Sequence, residues 1–227
     1  MIRFFDILIS FFALLILSPI LLITSLLLKL TGEGEVFFIQ QRVGSNGVLF
    51  NLIKFATMLK DSPLIGTGEI TLANDPRVLP LGKYLRKSKI NEIPQLYNVL
   101  RGDMSLIGYR PQTPKYWDCF EKDHQKILKY QRPGLSGMSS VLLRDEEKYL
   151  ENFSDPVMTD EKILMPFKGR VEAWYAENKT LNLYFKLILL TIFKVFRPNS
   201  SVFFGLIEKM PAFQKELENI LDLQVKG

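Results

Sequence analysis

The chain has 227 residues, a formal net charge of +5, one cysteine and one histidine. That length suits one domain with appended segments; the lone Cys119 excludes an intrachain disulfide, and Cys119 and His124 together are too few for a Cys/His metal centre or a histidine-based triad. The charge is uneven: Arg77 to Arg132 holds 12 Lys and Arg against 5 Asp and Glu, a local surplus that calls for an anionic partner such as a nucleotide diphosphate, a lipid headgroup or nucleic acid.

In chain order, the first element is an apolar run from Phe4 to Leu28 with Asp6 as its only charge, bracketed by Arg3 and Lys29. A bilayer core needs roughly 20 apolar residues in a helix, so the run is long enough to enter a membrane. A signal peptide does not fit, because the run is too long and Thr31 to Gly34 lacks an A-x-A cleavage pattern. Ser18-Pro19 near the middle predicts a kink, since proline removes a backbone hydrogen bond and a serine hydroxyl can satisfy a freed carbonyl. Two arrangements follow. A straight helix would put its ends on opposite sides, whereas a bent, re-entrant helix would return both ends to one face, with Arg3 and Lys29 reaching anionic headgroups. A buried core helix is the third reading, and the length and apolarity of the run weigh against it.

Gly32 to Gly34 breaks the helix, and Val36 to Gln40 reads as a short strand. Ser45-Asn46-Gly47 is a hairpin-type turn between QRVG and VLFNLIKF, so two short strands pair there. Arg42 and Lys54 on these strands are candidate phosphate contacts. A loop from Asp61 to Thr71 and a turn at Asn74 to Arg77 lead into a short helix, Leu79 to Lys87, that delivers Arg86.

Leu85 to Pro111 is the stretch on which the chemistry turns. It gathers Arg86, Lys87, Lys89, Arg101 and Arg110 around Asn91-Glu92 and Asp103. Cations donate to phosphate oxygens and a hard metal ion takes oxygen ligands, so a diphosphate substrate suits the mixture. Asn91 predicts an N-cap, Glu92 an acid in the first turn, Pro94 is tolerated that early, and Arg101-Gly102 predicts the helix end. The same geometry makes an anion site at the helix start.

Pro114 to Tyr130 has the spacing of one polar surface helix with Trp117, Phe120, Ile127 and Leu128 on its buried side, and His124 reads as a surface residue on it. Arg132-Pro133-Gly134 begins a turn with another cation. Leu181 to Phe196 is strongly apolar but interrupted by Lys186 and Lys194, which suits a core helix or one lying in an interface plane, closed by Arg197-Pro198. Val202 to Leu223 reads as a further amphipathic helix that docks on the domain or on another subunit. The basic block carries no aromatic RNA-binding motif and no recognition-helix pattern, so no nucleic-acid partner is expected.

This order of features resembles the bacterial sugar transferases that start glycan assembly, the monotopic phosphoglycosyl transferases. The resemblance rests on the apolar N-terminal segment with Ser18-Pro19, then FFIQQRVGSNG, NLIKFATM, NDPRVLPLGKYLRKSKINEIPQLYNVLRGDMSLIGYRP and RPGLSGM, and covers roughly residues 2 to 195. It implies transfer of a phosphosugar from a UDP-sugar to polyprenol phosphate (undecaprenyl phosphate), giving polyprenyl diphosphosugar and UMP with Mg²⁺, on the cytoplasmic face of the bacterial inner membrane. It also implies a re-entrant helix kinked at Ser18-Pro19. Carried over position by position, the acid of the catalytic pair is Glu92, the phosphate-binding arginines are Arg86, Arg110 and Arg132, and the nucleophile position is Asn91, with Asn91 and Glu92 as the metal ligands. An asparagine there departs from the family's aspartate: a neutral carboxamide is a poor nucleophile and a weaker ligand for a hard cation. Either Glu92 attacks instead, or the polyprenol phosphate attacks directly. Ala56, Tyr109 and Ser139 also depart from the pattern.

The expected fold is therefore α/β, mostly helical with short strands: a re-entrant membrane helix over 1–30, a small cytosolic catalytic domain with interfacial amphipathic helices over 31–199, and a helical tail over 200–227. The expected partners are a UDP-sugar, polyprenol phosphate and inner-membrane lipids, with a second copy or other glycan-assembly enzymes as candidates for the tail. A second function stands beside catalysis: a catalytically impaired, membrane-bound scaffold that binds nucleotide sugar or lipid.

Overall fold

The computed structural model describes residues 1–72, 74–197, 200 and 204–225. Helix α1 (Ile2–Thr31) is continuous through Pro19, and the Ser18 hydroxyl donates to the Leu15 carbonyl at 2.8 Å, one turn back, where proline disturbs the ladder. Its only acid is not exposed. Asp6 is buried and accepts hydrogen bonds from the Ser105 hydroxyl, the Leu106 N–H and the Tyr184 hydroxyl, each at about 2.9–3.0 Å. Arg3 donates to the carbonyls of Val99 and Leu100 at 2.6 and 2.9 Å. At the other end Leu28 is buried with Phe55 and Leu85. Both ends of α1 thus lie against the same domain, while Phe4, Phe11, Phe12, Leu15, Ile16 and Leu22 on its other face are exposed.

Strands β1 (Phe37–Val43) and β2 (Leu49–Phe55) pair antiparallel from Phe37↔Phe55 to Val43↔Leu49. The turn between them needs positive φ at two successive residues, 60° at Asn46 and 76° at Gly47, which Asn-Gly supplies at little steric cost. The hairpin is where the sequence places it, with β1 starting one residue later and ending three residues later than the expected strand. Helix α2 (Pro80–Lys87) follows a loop organised by Arg77. The Arg77 guanidinium is buried, pairs with Asp75 at 2.6 Å, and donates to the carbonyls of Ser62, Ile65, Gly68 and Ile70. One cation of the basic block therefore holds a loop together and is not available to a partner.

Helix α3 (Gln95–Arg101) starts three residues later than the sequence suggests. Pro94 lacks an N–H, so the first turn closes through 3-residue bonds, Ile93 N–H to Ile90 and Leu96 N–H to Ile93, and Ile90–Glu92 is a 3-10 turn. Asn91 is consequently not an N-cap. The predicted end is correct: Gly102, at φ 101°, donates to Asn98 and Val99 carbonyls. A short strand β3 (Ser105–Ile107) follows. The expected single helix over 114–130 is two, α4 (Pro114–Trp117) and α5 (Lys122–Leu128). The Gln125 amide donates to the Trp117 and Phe120 carbonyls and closes the break, which turns Phe120 into the core beside Trp117. His124, expected at the surface, keeps 16% of its side chain exposed and lies close to Gly169.

Strand β4 (Gly134–Ser136) pairs parallel to β3. Short helices α6 (Met138–Leu142), α7 (Glu146–Leu150) and α8 (Pro156–Thr159) lead through a π-turn at Asp160–Leu164 into α9 (Met165–Glu177). Helix α10 (Leu181–Phe196) buries Leu183, Tyr184, Leu187 and Leu190, and exposes Phe185, Leu189, Ile192 and Phe196 at helical spacing. Helix α11 (Met210–Val225) packs on its own domain, with Phe213 against the rings of Phe167 and Trp174. The Arg197-Pro198 stop, the 199/200 boundary and the expected helix start at Val202 fall wholly or partly outside the described residues.

Candidate active site

A groove of about 1320 Å³ runs between the hairpin, the 3-10 turn, the end of β3 and the α6–α7 segment. Arg42 and Lys54 reach it from β1 and β2, Arg86 from α2, and Lys89, Asn91 and Glu92 from the turn, with Arg110 entering just beyond β3. Gly108 lets β3 and β4 approach closely there: a side chain would sit 2.5 Å from the Arg132 carbonyl. That close pairing fixes the chain two residues before Arg110.

Glu92 and Arg110 form the centre, with a guanidinium nitrogen 3.0 Å from the carboxylate and 13% of the Glu92 side chain exposed. Burial alone would push the Glu92 carboxyl up, but Arg110, Lys89 and Lys54 outweigh it and hold the group well below the usual carboxylate range. Glu92 in turn holds Arg110 above its ordinary value. Burial, then Arg42 and Arg110, pull Lys54 well below the usual lysine range, and burial with Arg110 lowers Arg42 to about 10. At this end of the groove Arg110, Lys89, Lys54 and Arg42 crowd around the ionised Glu92, a field of mutually repelling cations that a diphosphate would relieve.

Asn91 is buried beside Glu92, and its carboxamide oxygen has no hydrogen-bond partner among the described residues. Together with the Glu92 carboxylate it offers oxygen ligands to a magnesium ion, which is commonly held by one or two carboxylates plus substrate phosphates and water. No group of three or more His, Cys, Asp or Glu suited to a metal occurs among the described residues. The donor set is therefore too small for a closed protein cage and fits an open magnesium site that ligands from outside the protein would complete.

The sequence-derived residues are not all together. Arg86, Arg110, Lys54, Asn91 and Glu92 line the groove, whereas Arg132 lines a separate cavity of about 630 Å³ with Arg3, Asp6 and Lys179 and donates to the Gly102 carbonyl at 3.0 Å. Asp103 pairs with Arg101 at 3.0 Å and accepts from Asn98 at 3.1 Å, so it serves the end of α3. Tyr109 is buried against Trp117, and Ser139 donates through its N–H and hydroxyl to Glu172, at 2.8 and 2.6 Å. Sequence reasoning missed the acidic side of the groove, where Glu147 pairs with Arg86 and Glu146 pairs with Lys168 at 2.7 Å. The run Asp145-Glu146-Glu147 after Arg144 was the available signal.

Comparison with known proteins gives a match to the bacterial sugar transferase family model over residues 1–198. The chain is similar to the undecaprenyl-phosphate glucose phosphotransferase of Komagataeibacter xylinus, with 38% identity over 61% of this chain and 27% of that protein. It is 39% identical to the UDP-N-acetylgalactosamine-undecaprenyl-phosphate N-acetylgalactosaminephosphotransferase of Aeromonas hydrophila over 62% of this chain and 33% of that one. Similarity to the exopolysaccharide production protein ExoY of Rhizobium meliloti is 35% over 65% of this chain and 71% of that one. The matched region thus spans a third or less of the first two relatives' length.

Proposed function

The chain belongs to the bacterial sugar transferase family, and from that premise we propose that it transfers a phosphosugar from a UDP-sugar to undecaprenyl phosphate, releasing UMP. The observation that carries this reading is the groove in which Arg110, Lys89, Lys54 and Arg42 surround the ionised Glu92, with Arg86 on the same lining. Arg110 and its neighbouring cations neutralise the diphosphate and position the phosphorus that bears the sugar, which lowers the barrier through fixed charge and orientation. Asn91 and Glu92 would hold magnesium, which when bound supplies positive charge to the phosphate oxygens. The acceptor is already a phosphate anion, so the chemistry calls for a phosphate-binding field and not for removal of a proton from an alcohol.

Membrane placement is part of the same reading. Helix α1 is apolar enough for a bilayer, and both of its ends are held by one domain, which supports a helix that returns both ends to one face over a straight span, with Ser18-Pro19 as the place where it would bend in a membrane. The exposed apolar stripe of α10 suits a helix lying in the interface of the cytoplasmic leaflet. Purified protein given a panel of UDP-sugars, Mg²⁺ and undecaprenyl phosphate is expected to release UMP with at least one sugar. Silence across the panel would refute the assignment.

Asn91 favours one competing reading, a scaffold that binds nucleotide sugar or lipid without turnover. Under that reading UDP-sugar binds without UMP release, and Glu92→Ala leaves cellular glycan assembly intact while deletion abolishes it.

A further inference from the structure

We propose that Glu146 is the attacking carboxylate of this enzyme, supplying the nucleophile that position 91 lacks; the inference rests on the transferase reading above. Asn91 is neutral and cannot form a stable phosphoester at its amide, so a two-step transfer needs a carboxylate from elsewhere in the groove. The segment Arg144 to Glu147 lies across the 86–92 region. Arg144 donates to the Lys87 carbonyl at 3.4 Å, and Glu147 pairs with Arg86.

Glu146 lines the groove with Glu92 and Arg110. One of its oxygens is clamped by the Lys168 ammonium at 2.7 Å, and Lys168 is itself fixed by Asp160 at 3.0 Å and only 9% exposed. Its other oxygen has no hydrogen-bond partner among the described residues, and 32% of the side chain is exposed. Burial pushes the Glu146 carboxyl up, but Lys168, then Arg110 and Lys89, hold it ionised, and Arg110 and Lys89 are two of the cations that act on Glu92. Two carboxylates therefore share one field. Glu92 is the less exposed and is bonded directly to Arg110, while Glu147 is bonded to Arg86. Glu146 is the one that combines a rigid clamp, an open oxygen and the cations of the phosphate site.

The proposed step balances. The open Glu146 oxygen forms a bond to the sugar-bearing phosphorus, and the bond from that phosphorus to the bridging oxygen breaks, with its electron pair leaving on UMP. The glutamyl-linked phosphosugar is an acyl phosphate. An oxygen of polyprenol phosphate then attacks the same phosphorus, and the acyl-phosphate P–O bond breaks to return the carboxylate, which Lys168 stabilises as it leaves.

The test uses the full chain in detergent, with a UDP-sugar that supports wild-type turnover. Wild type incubated without lipid acceptor and digested for mass spectrometry is expected to carry the phosphosugar on the peptide containing Glu146. Glu146→Gln is expected to lose at least about 100-fold in UMP release, and adding Asn91→Asp to that variant to restore at least tenfold. A purely structural Glu146 would give no such rescue. An adduct on Glu92, turnover of Glu146→Gln within threefold of wild type, or absence of rescue overturns the inference while leaving the transferase reading intact. A wild type that turns over no UDP-sugar overturns both.

Discussion

At the scale of single residues, neighbouring positions divide into different roles. Glu92 is ionised and bonded to Arg110 while Asn91 is uncharged with an unpartnered oxygen. Glu92→Gln would remove the charge that Arg110, Lys89 and Lys54 surround, and it is expected to lower kcat/KM for UMP release by at least about 100-fold, read by steady-state kinetics. Outside the groove, burial raises the Glu172 carboxyl to about 7, with Ser139 opposing the shift. A raised folded pKa gives stability that is complete below the unfolded value near 4.5 and is lost as pH climbs through about 7. Denaturation of Glu172→Gln and wild type at pH 5 and pH 8 is therefore expected to move in the variant's favour as pH rises, by up to about 3 kcal/mol. Glu92, Arg110, Arg86 and Lys54 were legible in the sequence because a contiguous motif and one hairpin deliver them. Glu146 and Glu147 were not, because their partners Lys168 and Arg86 lie 22 and 61 residues away and only tertiary packing joins them. Arg77 looked like part of a partner-binding block and is instead a buried hub for carbonyls, a role that residue type does not reveal.

At the scale of elements, α1 and α3 are coupled. Arg3 meets the carbonyl end of α3, the helix whose other end follows the Asn91-Glu92 turn, and Asp6 ties α1 to β3 and α10. Replacing Asp6 by alanine leaves the Ser105 hydroxyl, Leu106 N–H and Tyr184 hydroxyl without their acceptor. A loss of about 3 kcal/mol in detergent-solubilised protein is expected, checked by chemical denaturation. A variant that melts like wild type would show that α1 docks without this contact. The hairpin was readable from Asn46-Gly47, whose positive φ angles leave few alternatives, and the end of α3 was readable from Gly102. The start of α3 was misread because Asn91 offers a cap while the missing N–H of Pro94 imposes a 3-10 turn first. The parallel pairing of β3 and β4 was not readable, since three-residue strands joined across 26 intervening residues leave no periodic signal.

At the scale of the whole molecule, a basic groove and an apolar helix belong to one body, and the account joins them as a phosphate site presented to a membrane-borne acceptor. The re-entrant placement predicts that cysteines introduced at Ile2 and Glu33, in a Cys119→Ser background, are labelled by an impermeant reagent from the cytoplasmic side only. Labelling of one from each side would identify a straight span. The central claim is tested most directly by mass spectrometry of the lipid product from purified protein, undecaprenyl phosphate, Mg²⁺ and each of a panel of UDP-sugars. The account predicts one undecaprenyl diphosphosugar formed for each UMP released with the accepted sugar; binding of UDP-sugars without any lipid-linked product would contradict it.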